Sequence, residues 1–163
     1  MTNISVREYT NVPETARNWQ FLEVNGTKYL FRNEKSTLFC NKLDLDEGTI
    51  DEVTRLIVKG SILKFKAIEM KSNIVIVLCV QLDIGILLEC HTLLDGDSFQ
   101  YLGSLPVLKH VKDMDVITRS SDNEDNEYKI FVLNEEEFFL QLQNSIDVYG
   151  FDVDFSTSAL NFW

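Results

Sequence analysis

Seven consecutive residues, Ile74-Val75-Ile76-Val77-Leu78-Cys79-Val80, offer no polar position on either parity. Successive side chains of a strand point to opposite faces. A run of this kind therefore reads as a strand buried on both faces. Its neighbours fit the same picture. Ser61 to Met70 alternates in part, Ile84 to Leu94 follows the tight reversal Gln81-Leu82-Asp83, and Phe99 to Val107 follows the loop Asp95-Gly96-Asp97-Ser98. These segments form a central antiparallel meander.

A second signal lies upstream. Trp19 to Val24 and Thr27 to Arg32 flank Asn25-Gly26, a pair that tolerates positive φ at both central positions of a type I′ hairpin turn. Asn33-Glu34-Lys35 reads as the next turn, and Ser36 to Leu43 as a third strand. Downstream, Val111 to Arg119 and Tyr128 to Leu133 read as strands around the charged stretch Ser120 to Glu127, the natural site for a protease. Residues 1–17 are polar and aperiodic and read as a flexible N-terminal arm, leaving 18–163 as one strand-rich domain.

Two segments are ambiguous. Thr49-x-x-Glu52 and Asn134-x-x-Glu137 both have the form of helix N-terminal caps. Leu56-Ile57-Val58 and the alternation of Phe138, Leu140 and Leu142 suit strands equally well. The fold class expected is all-β, antiparallel meanders. The alternative is α+β, an antiparallel sheet with helices at 49–59 and 135–146.

Charge narrows the partners. Asp plus Glu number 26 against 15 Lys plus Arg, a net charge of −11. That field repels nucleic acid and anionic membrane surfaces and favours basic protein surfaces. Three cysteines without a pairing pattern point to a reducing, intracellular compartment rather than a disulfide scaffold. The N-terminus lacks the apolar stretch of a secretory signal, and the longest apolar run is broken by Gln81, Asp83 and Glu89, too soon to span a bilayer.

Strands with an apolar centre recur. Tyr29-Leu30-Phe31, Val75-Ile76-Val77 and Ile130-Phe131-Val132 lie 46 and 55 residues apart. Each is followed by a polar turn and a further apolar stretch at Leu38, Ile86 and Phe138. Four strands at such a period suggest propeller blades. Over most of residues 19–163 the chain resembles the WD40-like β-propeller family, although the Gly-His and Trp-Asp pairs of good repeats are absent. The resemblance implies partial β-propeller blades. Asp147 to Phe155 followed by Ala159 to Trp163 looks like a junction between one blade and the next. Three blades and a fragment do not close a ring, so the resemblance also implies that the chain is truncated or that a partner completes it.

Catalytic chemistry has little to stand on. Cys90 and His91 are neighbours in a strand pattern and point to opposite faces, so they form no dyad together. A Cys–His pair would need His110 or Cys40 brought in by the fold. No C-x-x-C accompanies the scattered Cys and His, so no metal is expected. Asp44-x-Asp46-x-Gly48, with Glu47, Asp51 and Glu52 nearby, is too short for an EF-hand loop and reads as a solvated turn. No phosphate-binding glycine motif occurs, so no cofactor is expected.

The aromatic residues remain. Trp19, Phe162 and Trp163 are candidate partner anchors, because interface hot spots favour aromatic side chains. Asp122, Glu124 and Asp125 are the acidic candidates beside them. The expected function is a non-enzymatic protein–protein interaction or scaffold subunit of a hetero-complex. The alternatives are a small acidic assembly chaperone of α+β fold shielding a basic client, and an enzyme using Cys90 or Cys40.

Overall fold

A computed structural model of the chain describes residues 18–119 and 126–163, and every regular element among them is a strand. The first sheet is the meander β1 (Asn18–Val24), β2 (Thr27–Glu34), β3 (Thr37–Asp44) and β4 (Thr49–Ile57). The second is β5 (Ser61–Met70), β6 (Asn73–Leu82), β7 (Gly85–Leu94) and β8 (Ser98–Val107). The third is β9 (His110–Arg119), β10 (Glu127–Phe138), β11 (Gln141–Asp154) and β12 (Ala159–Phe162). Each pair of neighbours is antiparallel, so the all-β reading holds. Among the described residues no helix is long and apolar enough to cross a membrane.

Local chemistry explains the hairpins. Val24 pairs with Thr27, leaving Asn25 and Gly26 at φ 51° and 79°. That is the type I′ geometry Asn-Gly favours. The equivalent turn of the second sheet is Lys71-Ser72, at φ 51° and 64°.

The sheets stack face to face with the second in the middle, and β6 explains why. Val75, Val77 and Cys79 face the third sheet, while Ile76, Leu78 and Val80 face the first; all six are fully buried. Burying each such aliphatic side chain contributes about 2 kcal/mol. The unbroken apolar run thus lies between apolar layers on both sides, as parts of β5 and β7 beside it also do.

The stack has a direction. Gln20 of β1 donates from Nε2 to the Ala67 carbonyl of β5 at 2.5 Å and accepts the Ala67 N–H at 2.7 Å. Its amide thus replaces a missing strand along the free edge of β5. Between β5 and β9 the same job falls to ion pairs: Lys64 reaches Asp113 at 3.7 Å and Lys66 reaches Asp115 at 3.4 Å. So β1, β5 and β9 run side by side in one sense. The β2–β3, β6–β7 and β10–β11 turns and the β4–β5 and β8–β9 links consequently gather on one rim of the stack.

Several expectations need correction. The α+β alternative fails: 49–57 is strand β4, and 135–146 is a hairpin, not a helix. Thr49 pairs with Asp44 and Glu135 with Asn144, so backbone groups that a cap would have served are taken up by ladders. The turn placed at Asn33–Lys35 sits at Lys35-Ser36, because the β2–β3 ladder runs on to Glu34 and Thr37. Phe138 does not open a new strand but ends β10. The expected junction between blades, Asp147 to Trp163, is instead the second half of β11 and β12, third and fourth strands of one sheet.

Candidate functional site: an apolar rim

The β10–β11 hairpin outgrows its sheet. Its strands have 12 and 14 residues, whereas those of the other two sheets have at most 10. Pairing with β9 stops at Glu135 opposite His110. Beyond it Glu136–Gln143, Glu137–Leu142 and Phe138–Gln141 pair only with each other. This two-stranded ribbon ends in Phe139-Leu140 at φ 49° and 64°. Bulky residues rarely adopt that conformation, and it costs about 1–2 kcal/mol for each. Both are exposed, Phe139 by 86% and Leu140 by 93%, with Leu142 exposed beside them.

The ribbon is anchored at its base. Asn134 is fully buried and donates from Nδ2 to Asp147 Oδ2 at 2.8 Å, and Lys109 of the β8–β9 link pairs with the same carboxylate at 3.5 Å. Lys112 and Glu135 pair at 3.0 Å. Such links hold the tip in a defined direction.

The same rim displays further apolar tips. Ile84 at the β6–β7 turn is 94% exposed, Leu108 in the β8–β9 link 97%, and Ile57 at the end of β4 70%. The turns of the opposite rim are built from Asn25-Gly26, Lys71-Ser72, Asp95-Gly96-Asp97 and Ser156 to Ser158, with Leu45 and Leu94 half-exposed among them. The tips of the first rim stand among Ser36, Lys59 and Asp83, so the two-residue Phe139-Leu140 tip is the largest apolar feature of that rim.

The residues singled out by sequence do not gather there. Trp19 lies on the outer face of the first sheet, opposite Arg32 in register. Phe162 packs against the core between the second and third sheets, so it is part of the interior. Trp163 points the other way, is well exposed, lies over Gly150 and exchanges both backbone hydrogen bonds with it at 2.9 Å. Alternation along β12 separates the two neighbours. Asp122, Glu124 and Asp125 lie outside the described residues.

Cys40, Cys79 and Cys90 are free and buried, and burial pushes each thiol up to about 12. A thiolate nucleophile is out of reach at such values. Cys90 faces the third sheet, and His91 takes the other face of β7. Burial holds His91 down to about 4, and neither ring nitrogen has a hydrogen-bond partner among the described residues. Asp44 accepts the N–H groups of Asp46 and Glu47 at 2.9 and 3.1 Å, closing its own turn. Among the described residues no group of three His, Cys, Asp or Glu side chains is arranged to hold a metal ion. An open depression on the rim, lined by Lys59, Gly60, Asp83 and Ile84, contains among the described residues no buried unpartnered polar group.

The rim escaped the sequence reading. Its signal was present: a large apolar pair, Phe139-Leu140, in the middle of an alternating stretch preceded by three glutamates. Both readings of 135–146, a helix or one continuous strand, passed over the turn in its middle. No protein-family model matches the chain, and no curated protein matches it.

Proposed function

We propose that the protein is a non-enzymatic docking module, an intracellular subunit of a larger assembly, which holds a protein partner on this apolar rim. The observation that supports it is the strained, exposed Phe139-Leu140 tip on its anchored ribbon. Strain at an exposed turn persists when the side chains displayed there are needed. Exposed Glu136 and Glu137 precede the tip, so the partner surface that fits is an apolar cleft bordered by Lys or Arg. The stacking of four-stranded meanders favours blades of the propeller type as the scaffold behind it.

The test replaces Phe139-Leu140 by Asn-Gly, the pair that a type I′ turn prefers. The variant should unfold at equal or higher denaturant concentration. Tagged wild-type chain should co-purify from its native cells with a stoichiometric protein that the variant loses. Retention of that protein by the variant, or transfer of the wild-type chain to phosphatidylcholine vesicles through the same tip, refutes the reading.

A further inference from the structure

The two ends of the stack are unlike each other, and among the described residues each leaves a sheet face without a neighbouring sheet. The front of the third sheet presents Ile117, Phe131, Leu133, Ile146 and Val148, of which Ile117, Ile146 and Val148 are about half to two-thirds exposed. The back of the first sheet presents Trp19 and Phe21 on β1 and Ile57 on β4, around a centre where the Arg32 and Arg55 guanidinium groups lie 4.0 and 5.0 Å over the Phe39 ring. Arg32 is more than nine-tenths buried, yet its Nε has no acceptor among the described residues.

We propose that the occupant of both faces is a second copy of this chain, joined head to tail: the front of the third sheet of each copy against the back of the first sheet of the other. Three observations favour it over other coverings. First, the chain already makes this contact twice, since the front of each sheet packs on the back of the next. Second, the charges on both faces are already matched within the chain, Arg55 by Glu52 at 2.8 Å, Arg32 by Glu34 at 3.9 Å, and Asp113 and Asp115 by Lys64 and Lys66, so the apolar side chains between them are free to pack without stranding a charge. Third, the area suffices. Four strands about 4.8 Å apart and roughly 8 residues long present about 500 Å² per face, so two such interfaces bury roughly 2,000 Å² in all, within the range of stable complexes. Two copies bring six four-stranded sheets into one ring, twice the three of a single chain, and no end face stays uncovered. The inference concerns the end faces; Ile57 stands both on the back face and on the rim, and neither test variant alters it.

The experiment is sedimentation equilibrium of the full chain at tens of micromolar. A closed pair has twice the 18.8 kDa of one chain. Val148→Glu on the front face and Phe21→Glu on the back face, both at exposed positions, should each shift the mass to that of one chain or weaken the association at least tenfold, with an unchanged strand spectrum in circular dichroism. The Asn-Gly rim variant should remain paired. A monomeric wild-type chain overturns the proposal. So does a pair broken by Val148→Glu but not by Phe21→Glu, which means front-to-front contact, and so does a series of open oligomers, which means the rotation does not close.

Discussion

Replacing His91 by leucine should flatten the acid limb of the stability curve. The imidazole is 5% exposed, in edge contact with Tyr101 at 5.3 Å between ring centroids, and 4.0 Å from Glu89 Oε1. Burial holds its pKa in the folded chain near 4, against 6.5 for the ordinary side chain. The unfolded chain therefore binds the extra proton first as pH falls. Stability attributable to His91 is fully present above pH 6.5 and declines toward pH 4, where the folded form takes up the proton too. At 1.36 kcal/mol per pH unit, a gap of about 2.5 units is worth roughly 3 kcal/mol. Glu89 works in the opposite sense. Burial raises its pKa, partly offset by Lys59, so its protonation favours the folded state as pH falls. Comparing variant with wild type cancels the terms they share. The assay is urea unfolding at pH 7.5, 6, 5 and 4. Wild type should lose about 3 kcal/mol more than His91→Leu across that range, and the variant should be at least as stable at pH 7.5, because two buried unpartnered nitrogens are gone. Equal acid limbs for the two proteins would show that His91 is not the buried neutral group described.

Two further outcomes follow from single contacts. Gln20→Ala strips both hydrogen bonds from the backbone of Ala67, whose residue is 1% exposed, and should cost about 2–3 kcal/mol by urea midpoint with the slope unchanged. Gly150→Ala would drive a methyl group into the Trp163 indole, so Trp163 must move off the sheet; tryptophan emission should shift to the red while the urea midpoint moves by less than about 1 kcal/mol.

Strands and their hairpins were legible wherever a short-range rule governs. Asn25-Gly26 sets its own turn, and Ile74 to Val80 announces burial on both faces because side-chain alternation is local. The rules failed where a local preference competed with a distant partner. Thr49-x-x-Glu52 could cap a helix in isolation, but β3 lies alongside and takes its backbone groups into a ladder. The candidate site was largely illegible for the same reason. Nothing local distinguishes Phe162, which packs into the core, from Trp163, which lies outside; their places depend on which face of β12 meets the second sheet.

By itself the chain's order of residues determined its antiparallel meanders and its net acidity, while the choice between all-β and α+β was made by the ladders at 49–57 and 135–146. Only the stacking of the three sheets decided which apolar side chains were consumed as core and which, such as Leu108, Phe139 and Val148, were left facing outward. The physical reason is range. Turn chemistry and strand alternation act within a few residues, whereas covering an apolar face requires another sheet whose position is set by contacts dozens of residues away.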